Sequence, residues 1–149
     1  EIELSPADLT MLLEDVADFY RPETEARGIM LSTFVQAGLI LRCDRDLIFQ
    51  AVANLLDNAI RYTPPGGEIV LSGQAEKGAL LIAVRDTGPG IAESDLPHVT
   101  ERFYRAKDGT GAGIGLGLSL VDTIARLHRS TLAFVNLDRG LRIDWRFPA

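Results

Sequence analysis

The chain has little with which to build a covalent framework or a metal cage. Its single cysteine, Cys43, excludes an internal disulfide and suits a reducing compartment. It has 2 histidines, His98 and His128, and no Cys/His pair at ligand spacing, which excludes a structural zinc site. Apolar runs are short: stretches such as Ala79–Val84 fall far below the roughly 20 residues that span a bilayer. Positive charge is scarce as well. Against 21 acidic residues stand 15 Lys and Arg, a net charge of −6 that argues against nucleic acid or an anionic membrane as the main partner. No signal-peptide pattern opens the chain, which starts at Glu1 without Met, so the expectation is a piece of a larger protein.

What is present is the material of one globular domain. At 149 residues with 46% hydrophobic and 24% charged, residues 1–149 suffice for a single buried core. Ser5-Pro6-Ala7-Asp8 reads as a capping box with proline at the first helical position, opening a helix that ends near Gly28. On that helix Leu9, Leu12, Leu13, Val16, Ala17 and Tyr20 share one face. Strands follow at Ile29–Val35 and Leu39–Cys43, joined near Gly38. Asp44 caps a second helix through about Tyr62, stopped by Pro64-Pro65-Gly66-Gly67. Hairpins are expected at Glu68–Arg85 and Leu132–Phe147, turning at Glu76-Lys77-Gly78 and Asp138-Arg139-Gly140, with a third helix from about Gly115 to His128 between them. Helices interspersed with hairpins predict an α+β two-layer sandwich, the helices on one face of a mixed sheet.

The second helix carries an unusual polar arc. At 100° per residue, Gln50, Asn54, Asp57, Asn58 and Arg61 share one side, opposite Ile48, Val52, Leu55, Leu56 and Ala59. A solvated amphipathic face is one reading. Asparagine, however, is a poor helix former, and two of them one turn apart can present carbonyl ligands beside a cation, as Mg²⁺ bound through phosphates requires.

Asp86-Thr87-Gly88-Pro89-Gly90-Ile91 ends an apolar strand. It reads either as a tight turn or as an acceptor-only carboxylate placed to hold the exocyclic amine of adenine. Glycines at 109, 111, 113, 115 and 117 then run straight into Leu116, Leu118, Leu120, Val121 and Ile124. A flexible linker would not lead unbroken into a helix, whereas a helix N-terminus with free N–H groups is an anion site. The spacing is neither that of a P-loop nor that of a Rossmann fingerprint. Between the two loops, Glu101-Arg102-Phe103-Tyr104-Arg105-Ala106-Lys107 gathers cations suited to phosphate. Neither histidine is paired with a nucleophile or a carboxylate in a catalytic pattern.

Taken in order, these segments resemble the catalytic ATP-binding (HATPase) domain of bacterial two-component sensor histidine kinases, over nearly the whole chain. Asn54-Leu55-Leu56-Asp57-Asn58-Ala59-Ile60-Arg61-Tyr62-Thr63-Pro64 is similar to the N box and Asp86–Ile91 to the G1 box. Glu101–Arg105 is similar to the F box and Gly113-Ile114-Gly115-Leu116-Gly117-Leu118 to the G2 box. The resemblance implies a Bergerat-type sandwich with three main helices and a mobile lid between the F and G2 boxes. It implies that Asn58, assisted by Asn54, ligates Mg²⁺, and that these amides with Arg102 and Arg105 form the catalytic set. Arg61 and Tyr62 would contact phosphate and nucleoside. Asp86, Gly88, Gly90 and Ile91 would form the adenine loop, and Gly113, Ile114, Gly115, Leu116, Gly117 and Leu118 would hold the phosphates of ATP.

The implied activity is donation of the γ-phosphate to a histidine on a separate dimerisation domain, which passes it to a response regulator. The implied setting is a cytoplasmic domain of an inner-membrane kinase, this stretch itself not entering the membrane. Two departures stand out. His128-Arg129-Ser130 replaces the His-Gly-Gly often found after the third helix, a change that bears on the local turn rather than on the nucleotide. The phosphoacceptor motif, histidine followed by an acidic residue, is missing from the chain. Relatives such as gyrase and heat-shock chaperone ATPases carry Glu where Asn54 stands, and a neutral amide cannot activate water. A nucleotide-responsive module without catalysis and an anti-sigma-factor serine kinase are the other readings of the fold.

Overall fold

Two aspartates set where two of the helices begin. Asp8 accepts a hydrogen bond from the Met11 N–H at 2.9 Å and starts α1, Leu9–Ala26; Asp44 accepts from the Leu47 N–H at 3.2 Å and starts α2, Arg45–Tyr62. The computed structural model describes residues 2–101 and 114–148, with side chains in the second span from 117 onward. The apolar faces expected from helical spacing are the buried ones: Leu9, Leu12, Leu13, Val16 and Ala17 on α1, and Ile48, Val52, Leu55, Leu56 and Ala59 on α2. The third helix, α3, is Ile114–Leu127, with Leu118, Val121 and Ile124 buried.

One boundary differs from the sequence expectation. Ser5 does not cap a helix: Ser5–Asp8 is a short strand, β1, paired antiparallel with β3, Ile40–Cys43, so that Ser5 faces Cys43 and Asp8 faces Ile40. Proline at position 6 suits an edge strand as well as a first helical turn, because it lacks an N–H in either place. With Asp8 three residues on, the carboxylate takes the cap and frees Ser5-Pro6 to pair with β3.

The main sheet contains β2, Met30–Val35; β4, Glu68–Glu76; β5, Ala79–Asp86; β6, Thr131–Asn136; and β7, Leu141–Pro148. Its order is β2-β4-β5-β7-β6, with β2 parallel to β4 and the remaining pairs antiparallel. Strands β2 and β3, neighbours in sequence, therefore lie in different sheets, and the turn at Gly38 (φ 74°) redirects the chain between them. The face of Leu31, Ile69, Leu71, Ile82, Ile143 and Trp145 is buried with the helices. Each fully buried Leu or Ile there stabilises by about 1.5–3 kcal/mol. Together these elements form the expected α+β sandwich, three helices on a mixed sheet.

The far ends of α2 and α3 are tied together. His128 Nε2 accepts from the Asp44 N–H at 3.0 Å, which leaves Nδ1–H to donate to the Ile124 carbonyl at 2.7 Å. Both ring nitrogens are thus engaged with backbone, a structural role that joins the cap of α2 to the last turn of α3. Among the described residues, no helix is long and apolar enough to cross a membrane.

Candidate functional site

The polar arc of α2 is present and only partly solvated. Asn54, Asp57 and Asn58 are half-buried, and Arg61 is exposed with its guanidinium 3.4 Å from the Asp57 carboxylate. Exposed ion pairs of this kind stabilise little, so the pair orients the arginine more than it holds the helix. Asn58 is the anomaly. Its Nδ2 is buried and has no hydrogen-bond partner among the described residues. A buried amide without a partner costs about 1–3 kcal/mol, a cost that a ligand can relieve. A Cβ at Gly117 would sit 3.4 Å from that nitrogen, so the bare glycine in the first turns of α3 leaves the amide its room.

Asp86 lies at the end of β5, 8% exposed. Burial pushes its carboxyl above the ordinary carboxylate range, while the backbone N–H groups of Gly88 and Leu141 pull it back. The Gly88 N–H donates to Oδ1 at 2.8 Å, a tight Asx-type turn. That turn passes directly over the end of α2: a Cβ on Gly88 would come within 2.7 Å of the Tyr62 carbonyl oxygen. The chain thereby brings the N-box segment and the Asp86 loop into contact, with half-buried Tyr62 between them. Thr63, the C-cap of α2, is buried beside this junction, and its Oγ1 also lacks a partner among the described residues. Thr87 Oγ1 accepts from the Glu68 N–H at 2.9 Å and fixes the loop to the start of β4.

At the other end of the loop the geometry is internal. Gly90 has φ 76°, and a Cβ there would meet Asn136 Oδ1 at 2.8 Å and the Gly140 carbonyl oxygen at 3.2 Å. The Ile91 N–H donates to Asn136 Oδ1 at 3.0 Å. The glycine requirement at 90 and the backbone of Ile91 are therefore used by the β6–β7 hairpin. Sequence reading missed Asn136, and it missed Thr63 as a buried hydroxyl; a polar residue closing an apolar strand just before Asp138-Arg139-Gly140 was the available signal.

Arg102, Arg105, Lys107 and Gly113, with the proposed lid, lie outside the described residues, as do the side chains of Ile114 and Leu116. Gly115 is helical within α3; Leu118 is 1% exposed and belongs to the core, so its role toward a phosphate could only be through backbone. His98 is exposed, its Nδ1 2.8 Å from the Glu101 carboxylate.

Known proteins share both the sequence and the architecture. The family model for histidine kinase-, DNA gyrase B-, and HSP90-like ATPases matches residues 43–149. Sensor protein QseC of Salmonella typhimurium is 40% identical over 131 residues, which are 87% of this chain and 28% of QseC. The chain thus spans under a third of the length of that relative. The catalytic domain of histidine kinase ThkA superposes with a TM-score of 0.89 at 25% identity, covering 99% of this chain and 98% of that domain. The mycobacterial sensor histidine kinase MprB gives a TM-score of 0.85 at 28% identity over 97% of each chain. With its N-box amides on α2 and its buried Asp86 at the end of β5, the chain belongs to the histidine kinase-, DNA gyrase B- and HSP90-like ATPase family, as a catalytic ATP-binding domain of the sensor histidine kinase type.

Proposed function

We propose that this chain binds Mg-ATP and presents the γ-phosphate to a histidine on a separate dimerisation domain, from which a response regulator takes it. The observation that carries the reading is the buried, unpartnered amide of Asn58, set opposite the bare Gly117 of α3. An amide oxygen is a ligand Mg²⁺ accepts, and the oxygen and nitrogen of an asparagine exchange places by a simple flip. A neutral amide also fits an ion whose charge is balanced by phosphates rather than by protein carboxylates. When bound, Mg²⁺ offsets the negative charge on the phosphates. Asn58 and Asn54 would hold it, Arg61 would face the phosphates, Tyr62 the nucleoside and Asp86 the adenine amine. Gly113 to Leu118 would offer backbone N–H groups, and Arg102 and Arg105 would supply charge toward the transferring phosphoryl.

Asn54 supports transfer over hydrolysis, because a neutral amide cannot take a proton from water. In this reading the domain works on the cytoplasmic side of an inner-membrane kinase. Calorimetric titration with ATP, with and without Mg²⁺, tests it. The parent should bind ATP more tightly when Mg²⁺ is present, and Asn58→Leu should lose that Mg²⁺-dependent gain while remaining folded. Equal Mg²⁺ dependence in parent and variant would return Asn58 to a purely structural role.

A further inference from the structure

We propose that Asn136 is a positioning residue for the nucleotide loop: its side-chain amide holds Ile91 so that Asp86 keeps its direction toward the base. The inference rests on the ATP-binding reading above and extends it to the last hairpin of the chain. Asn136 closes β6, an edge strand of the sheet with no further strand on its outer side among the described residues. Its amide does there what a neighbouring strand would do. Oδ1 accepts from the Ile91 N–H at 3.0 Å, and Nδ2 donates to the Ile91 carbonyl at 2.6 Å. One flat side chain therefore satisfies both backbone groups of one loop residue, the acceptor and donor of a primary amide matching the N–H and C=O of Ile91.

The fit around the clasp is close. Gly90, immediately before Ile91, adopts φ 76° and lies so near Asn136 Oδ1 and the Gly140 carbonyl that a Cβ would collide. The turn carrying Gly140 is itself closed by the Leu137 N–H donating to the Gly140 carbonyl at 3.0 Å. At the opposite end of the loop, Asp86 is paired with Leu141 in the β5–β7 register. The same hairpin thus grips the loop at both ends, Leu141 at Asp86 and Asn136 at Ile91. The Asp86-Thr87-Gly88-Pro89 segment between them is fixed relative to the sheet, and with it the carboxylate that the Gly88 N–H already orients. Preorganising that carboxylate removes an ordering cost from nucleotide binding.

The test compares the parent with Asn136→Ala and Asn136→Asp, measuring ATP affinity by titration and backbone amide exchange residue by residue. Asn136→Ala should bind ATP about tenfold more weakly, the loss expected from two hydrogen bonds. Exchange should quicken at Gly88 and Ile91 while the amides of β4, β5 and β7 keep their protection. Asn136→Asp keeps an acceptor for the Ile91 N–H but sets a charge against the Ile91 carbonyl, and should not restore binding. Unchanged ATP affinity in Asn136→Ala overturns the proposal. So does faster exchange spread across the whole sheet, which would make Asn136 a general stabiliser. A parent chain that binds no ATP would instead refute the reading on which the proposal rests.

Discussion

Trp145 and Ser130 are joined by a hydrogen bond in which the indole Nε1–H donates to the serine Oγ at 2.7 Å, deep under the sheet. The same hydroxyl donates to the Ala125 carbonyl at 2.8 Å, at the end of α3. Ser130 thereby satisfies the indole of a tryptophan that is fully buried. Ser130→Ala should destabilise the fold by about 1–3 kcal/mol, the cost of orphaning a buried indole N–H. Urea unfolding measures it, and ATP affinity at low temperature should not change. A variant as stable as the parent would mean that the indole finds another acceptor.

Arg129, just before it, has φ 52°, the left-handed region that disfavours a side chain. A glycine would fit this backbone better. Arg129→Gly should raise stability by about 0.5–1 kcal/mol, relief of left-handed strain outweighing the freedom glycine adds to the unfolded chain. A lower melting midpoint in the glycine variant would contradict this.

Local chemistry was legible in the sequence, and long-range pairing was not. The cap at Asp44, the end of α2 at Tyr62 and the hairpin around Glu76-Lys77-Gly78 follow from caps, prolines and alternation, and the structure has them within a residue or two. The N-box amides stood out because asparagine is costly in a helix. The pairing of Ser5–Asp8 with Ile40–Cys43 was invisible, because Pro6 and Asp8 serve a helix start and a strand end alike. Asn136 was missed for a related reason: its partner, Ile91, is 45 residues away, and nothing local to either residue announces the other.

Asp86 couples stability to pH. Its carboxyl sits above the ordinary range because burial disfavours the charged form. The folded state therefore holds the proton more tightly than the unfolded chain. Its contribution to stability is complete below the unfolded value and is lost as pH rises through the higher folded value. Above that window the empty fold carries an ionised, partly desolvated group. Asp86→Asn removes this penalty, so its stability relative to the parent should increase from acid toward neutral pH. Its ATP affinity should fall by roughly 1.5–3 kcal/mol, because an amide offers donors where the base amine needs an acceptor. Thermal midpoints across that pH range and calorimetry at neutral pH check the two effects separately. Unchanged ATP affinity would remove Asp86 from the site.

The proposed function makes the chain a phosphodonor whose acceptor histidine lies on another domain. His98 is paired with Glu101, and His128 is spent on backbone at both ring nitrogens. In the proposed function neither histidine is the acceptor for in-line transfer, and Asn54, a neutral amide, does not activate water. The decisive measurement is incubation with ATP radiolabelled at the γ-phosphate, with this chain alone and then with a histidine-bearing dimerisation domain from the same kinase. Alone, the chain should bind nucleotide, hydrolyse it very slowly and remain unlabelled. With the added domain, label should appear on that domain's histidine as an acid-labile, base-stable phosphoryl group. Label on His98 or His128 of the isolated chain, or rapid release of inorganic phosphate without any protein labelling, would contradict the account.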